Sequence, residues 1–134
     1  PAQKSAEEPK PPVREETIRE FKEKILPRLN TEEGTIGYTI TGDRWLERDG
    51  NYVEIIPRLT RDDFEIHVYR DNDNIFKVVI STAFCKNAML KYPDLEKMKQ
   101  NENHPKHHIA ITWGNGRIFL YIDGEVVDLF TANE

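Results

Sequence analysis

This chain of 134 residues has one cysteine, Cys85. That excludes an internal disulfide and a multi-cysteine zinc site, and Cys85 itself reads as a small, half-buried residue at a strand end. Long apolar runs are missing too. No window approaches the roughly 18 residues of a membrane-crossing helix, so membrane insertion is not expected, and no signal-peptide pattern is seen. Basic charge is short: 19 Lys and Arg stand against 24 Asp and Glu, a formal net charge of -5. Phosphate binding needs a concentrated positive face, so nucleic acid is not an expected partner. No nucleophile elbow, glycine-rich phosphate loop or HExxH motif occurs.

What the chain has in quantity is alternation, after two segments of a different character. Residues 1–16, PAQKSAEEPKPPVREE, combine proline and charge with almost nothing apolar. Such a segment cannot bury enough surface to offset its ordering entropy. It reads as a disordered linker or tail, a tether to an upstream domain. A single domain is expected over 17–134. In TIREFKEKILPRL, Ile18, Phe21, Ile25 and Leu29 recur at helical spacing. Thr17 and Glu20 fit a capping box, and Pro27 should end or bend the helix. The expected helix lies on the domain by its apolar face or docks a partner.

From Gly34 the period becomes two. GTIGYTITG, NYVEIIPRL, DFEIHVYR and IFKVVIST alternate in turn. Pro57 marks the second run as an edge strand or a short one. Residues 88–103, AMLKYPDLEKMKQNEN, break the pattern and predict a short helical excursion near 94–101, capped by Asp94. HHIAITWGNGRIFLYIDGEVV then writes a three-strand meander, with hairpin signals at 114–116 and at Asp123-Gly124. Ile109, Ile111 and Trp113 share a face with Ile118, Leu120 and Ile122 once the turn sets the register. Phe119 and Tyr121 fall on the opposite face with His108, Ala110 and Thr112. That aromatic face predicts a cover, either the N-terminal helix or a second layer. The count is six or seven strands, mostly antiparallel, which predicts an all-β sandwich.

HHIAITW, a turn, and RIFLYIDGEVV resemble the final core hairpin of laminin-G-like domains in the concanavalin A-like lectin/glucanase superfamily. GTIGYTI is similar to that family's early strand, and FEIHVY with IFKVVIST to its middle hairpin. Lys106 stands where the family usually has a tryptophan. The resemblance implies a jelly-roll-like sandwich of antiparallel sheets and an extracellular or cell-surface setting. It also implies a choice among lectins, glycosidases and protein adhesives, since one fold hosts all three.

Several side chains are candidates for chemistry. Asp63, Glu65 and His67 alternate along one strand. Laminarinase-type relatives place Glu-x-Asp-x-Glu there, so one acid protonates the leaving oxygen while another attacks carbon. His67 replaces a required carboxylate, and catalysis is not expected. Asp71, Asn72, Asp73 and Asn74 offer hard oxygens to calcium, with Asp71 and Asp73 as the ligands. The same residues also suit a hairpin turn. Asp43 and Asp62 could join only if their loops converge. His104, His107 and His108 are a poor zinc set, because strand neighbours point to opposite faces. Trp113, Gly114 and Arg117 echo a galectin site without its glutamate.

Two functional classes follow. The first is a non-catalytic binding module for glycan or protein, with Trp45, Tyr52, Tyr69 and Trp113 as the pool of ligand-stacking aromatics. The second is a structural β-sandwich subunit of a larger assembly.

Overall fold

The computed structural model describes residues 15–41, 50–93 and 106–132. The expected tail lies almost wholly outside the described residues, as do Trp45, Asp43, His104 and the excursion near 94–101. Within them the chain is an all-β sandwich with one short N-terminal helix, α1 (Glu15–Glu20). The strands are β1 (Gly34–Thr41), β2 (Val53–Arg61), β3 (Phe64–Arg70), β4 (Phe76–Ser81), β5 (Ala88–Tyr92), β6 (Lys106–Gly114), β7 (Arg117–Ile122) and β8 (Glu125–Thr131). They form two antiparallel sheets, one ordered β1-β6-β7-β8 and the other β2-β3-β4-β5.

Alternation decides which side chains meet. Ile36, Tyr38 and Ile40 of β1, Ile109, Ile111 and Trp113 of β6, and Ile118, Leu120 and Ile122 of β7 are all buried. Ile66, Val68, Phe76, Val78, Ile80 and Leu90 are the fully buried row of the other sheet. Burying each such side chain fully is worth about 1.5–3 kcal/mol. The register follows from the turns. Asn115 and Gly116 have φ 53° and 74°, and Asp123 and Gly124 have φ 52° and 88°. Two successive positive φ values match the twist of the flanking strands. Trp113 therefore pairs with Ile118, and Ile111 with Leu120.

Four local features depart from the periodic reading. An eighth strand, β5, occupies Ala88–Tyr92, at the start of the stretch in which the period breaks. Ala88 and Leu90 face inward while Met89 and Lys91 face out, too short an alternation to register before Pro93. In β2, register shifts flank Ile56, and Ile55 and Ile56 are both buried. Pro57 cannot donate to a ladder, and β2 is indeed an edge strand. The helix opens into a π-helical turn over Phe21–Ile25 and closes as a 3₁₀ turn over Leu26–Arg28. A π turn carries an extra residue, so the buried position moves from the expected Ile25, 43% exposed, to Leu26, 5% exposed. Thr17 lies inside α1 rather than capping it. Finally, Cys85 is fully buried in the turn after β4, where its N–H donates to Thr82 Oγ1.

The segment after α1 is held at specific points. Arg61 Nη1 donates to the carbonyls of Leu26 and Leu29 at 2.9 and 2.8 Å. The Trp113 indole donates to the Asn30 carbonyl at 3.0 Å, and the Ala83 amide to the Thr31 carbonyl at 2.8 Å. These bonds seat the segment where β1, β2 and the end of β6 meet, and Ile18 and Phe21 pack against the core, with a cavity between them and Ile36, Tyr38 and Ile56. On the opposite side the sheets are joined by Asp128, whose Oδ2 accepts the Lys91 amide of β5 at 2.7 Å.

Candidate functional site

Sheet pairing brings two of the four candidate aromatics together. Tyr52 precedes β2 and Tyr69 lies on β3, beside Glu54 of β2. Outward positions of β3 are Glu65, His67 and Tyr69, because Phe64, Ile66, Val68 and Arg70 face the core. The Tyr52 and Tyr69 rings stack with centroids 5.5 Å apart and planes 27° from parallel. His67 lies against Tyr69, with centroids at 4.8 Å and planes at 34°. The three rings make an aromatic shelf on the outer face of the β2–β5 sheet.

Polar groups fix the shelf. His67 Nε2 is 3.1 Å from Glu54 Oε2 and 3.3 Å from the Tyr52 hydroxyl. A carboxylate can only accept, which assigns a proton to Nε2. The Tyr52 oxygen then shares that N–H as a second acceptor, and its own proton is directed away from the imidazole. Burial, and after it the negative charge of Glu54, raises the Tyr52 phenol above its ordinary value. The hydroxyl therefore stays a donor at neutral pH. Around the shelf, Arg58 pairs with Glu65, and Lys77, which faces Tyr69 across the β3–β4 ladder, pairs with Asp71.

The other candidates are placed differently. Trp113 is 4% exposed and packs on Phe64 with centroids 5.3 Å apart, so it has no open face for a ligand to stack on. It is a core residue, which corrects its place among the ligand-stacking aromatics. Its alternation with Ile109 and Ile111 already pointed inward. The Asp71 carboxylate is engaged within its own turn. Oδ1 accepts the amides of Asp73 and Ile75 at 2.9 and 3.0 Å, and Oδ2 meets Lys77 Nζ at 2.6 Å. Burial raises the Asp71 pKa, but Lys77 and the two amides outweigh it and hold it below the ordinary value. Asn74, at φ 64°, has its Oδ1 on the Gly50 amide. This geometry is an Asx-turn hairpin closed by a lysine, and it directs no free pair of oxygens from Asp71 towards a cation. Among the described residues no group of three His, Cys, Asp or Glu side chains is placed to hold a metal.

Asp63 sits in the β2–β3 turn rather than on the strand, Glu65 is tied to Arg58, and His67 to Glu54. The triplet is thus split between a turn residue, Asp63, and two strand residues engaged by different partners. His107 is buried and His108 exposed, on opposite faces as strand geometry requires. The partner of His107 is one that sequence reading missed. Its Nδ1 lies 2.6 Å from Asp123 Oδ2, while Asp123 Oδ1 accepts the His108 amide at 2.9 Å. The Asp123-Gly124 turn was legible; its clasp on the His-His pair was not, because the contact spans the hairpin.

The comparisons give no match: no family model, no curated protein and no solved structure is similar to the chain.

Proposed function

We propose that the chain is a non-catalytic, laminin-G-like binding module, and that the Tyr52–Tyr69–His67 shelf recognises a glycan. The observation that carries this reading is the convergence of two tyrosines, stacked and solvent-facing, with hydrogen-bonding groups of both kinds at their edge. Sugar rings present C–H faces that pack on aromatics and hydroxyls that need donors and acceptors beside them. Tyr52 is 47% exposed and forms the outer ring of the shelf. Its hydroxyl would donate, and the Glu54 carboxylate would accept. Catalysis is not part of the proposal, since each outward carboxylate near the shelf is tied to a cation or to His67.

An oligosaccharide array probed with the purified chain tests this. Binding to at least one glycan class is expected, with a loss of about tenfold or more in Tyr52→Ala and Tyr69→Ala. Silence across the array, or binding indifferent to both substitutions, overturns it.

The structural-subunit reading has its own observation. On the outer face of the β1-β6-β7-β8 sheet, Phe119 pairs with Leu129 and Tyr121 with Val126. Leu129 and Val126 are 48% and 52% exposed. Glycan-silent protein that elutes at a multiple of its mass, and as a monomer after Leu129→Lys, would favour that alternative.

A further inference from the structure

We propose that the cavity between the N-terminal helix and the β1–β2 side of the sandwich binds a small neutral molecule: one ring, or a short branched chain, bearing a single hydrogen-bonding oxygen. The cavity measures about 190 Å³ and is lined by Ile18, Phe21 and Ile25 from the helical segment and by Ile36, Tyr38 and Ile56 from the strands.

Its origin is topological. β1 and β2 are edge strands of different sheets and form no ladder with each other, so the sandwich is open along that side. The helical segment covers the opening but does not fill it. The π turn sends Leu26 into the core and leaves Ile25 at the rim, while Ile18 and Phe21 are only partly buried. For scale, an apolar cavity of about 150 Å³ stays dry and accepts benzene.

Tyr38 gives the space its second property. The residue is 7% exposed, and its hydroxyl is buried without a hydrogen-bond partner among the described residues. Burial alone drives the phenol pKa far upward, so the group is a neutral O–H. A buried hydroxyl without a partner is costly, and groups of this kind are normally satisfied. The hydroxyl is closed to water, so an occupant carrying one oxygen would supply the missing partner as the Tyr38 ring turns towards it, while its carbon body covers the isoleucines and Phe21. No lysine or arginine lines the cavity, and Glu20 stands at its wall. An anion is therefore disfavoured and a neutral ligand selected. The inference does not rest on the glycan reading, since Tyr38 and Ile36 face the core and the shelf lies on the outer face of β2 and β3.

The test is an NMR titration of the isotope-labelled 134-residue chain with benzyl alcohol, and with toluene as the matched probe without oxygen. Saturable shifts confined to residues 17–25, 36–38 and 56 are expected, with benzyl alcohol the tighter ligand. Tyr38→Phe keeps the ring and the fold and should erase the preference for benzyl alcohol, a change of about 3- to 10-fold, the worth of one hydrogen bond. Ile25→Trp, at the exposed rim, should weaken both probes by narrowing the space. The proposal is overturned if neither probe gives saturable shifts at millimolar concentration, if the shifts fall on Tyr52 and Tyr69 instead, or if Tyr38→Phe leaves the ratio unchanged.

Discussion

Asp123 sits at a positive φ of 52° in the β7–β8 turn and reaches back to His107 and to the amide of His108. Two substitutions separate its backbone role from its charge. Asn tolerates left-handed backbone and can still accept the His108 amide, so Asp123→Asn removes mainly the charge. Asp123→Ala removes both bonds, takes the carboxylate from a buried imidazole and adds left-handed strain. Hydrogen bonds to a charged group are worth about 1.5–3 kcal/mol. The Asp123 side chain is 48% exposed, which argues for the low end after solvent screening. The expected cost is about 1 kcal/mol for Asn and about 2–3 kcal/mol for Ala, of which about 1 is backbone strain. Urea unfolding at neutral pH should show it as midpoint losses of roughly 0.5 M and 1–1.5 M, for a slope of about 2 kcal/mol/M. The pH dependence has a fixed direction. Burial raises the Asp123 pKa, but the bonds from His107 and the His108 amide outweigh it and hold the carboxyl below 3.8. Its contribution is therefore complete above that ordinary value and is lost as pH falls through the lower folded value. The gap between wild type and Asp123→Asn should close in strong acid. Equal midpoints at pH 7, or a gap that does not narrow as pH falls below the ordinary carboxylate value, would refute the clasp.

Ile111→Ala and Leu120→Ala, paired in the buried row of the β6–β7 hairpin, should each cost about 2–5 kcal/mol in urea unfolding. Tyr38→Phe should raise the ligand-free melting temperature by several degrees, because it removes a buried hydroxyl with no partner among the described residues. Calcium and chelator should give coincident thermal melts, since Asp71 is engaged by two amides and Lys77; an upshift abolished by Asp71→Ala would show the turn to be a calcium site.

The sandwich was legible because its strongest signals are local. Asn115-Gly116 and Asp123-Gly124 fix two turns by backbone chemistry alone, and the rows Ile109-Ile111-Trp113 and Ile118-Leu120-Ile122 fix which face is core. What was hidden depended on spacing errors that periodicity cannot carry. One extra residue in the π turn exchanged Ile25 for Leu26, and the shifts around Ile56 turned two neighbouring isoleucines inward. β5 was lost because five residues beside a proline give too few alternations. At the candidate site, Tyr52 and Tyr69 were in the pool of aromatics, but that they stack depends on the pairing of β2 with β3. Trp113 was in the same pool although its own strand phase put it inside. Asp71 drew attention as a metal ligand through its composition, while Lys77, the group that engages it, lies six positions along the chain on the next strand.

Most ladders in this fold join neighbours in sequence: β2 through β5 form one run of hairpins, and β6 through β8 another. β1 is different. Among the described residues it pairs only with β6, so Gly34 must wait for Trp113. During synthesis β1 emerges well before its partner exists. From Gly34 to Thr41, GTIGYTIT contains no charge and no proline, the composition that invites pairing with another chain. Glu32 and Glu33 stand immediately before it and are the nearest charges on that side. They stand in the position of gatekeepers for a strand whose inner row, Ile36, Tyr38 and Ile40, is buried in the finished sandwich and exposed until then. Replacing them with neutral residues would leave the native core untouched and act on the yield of soluble chain.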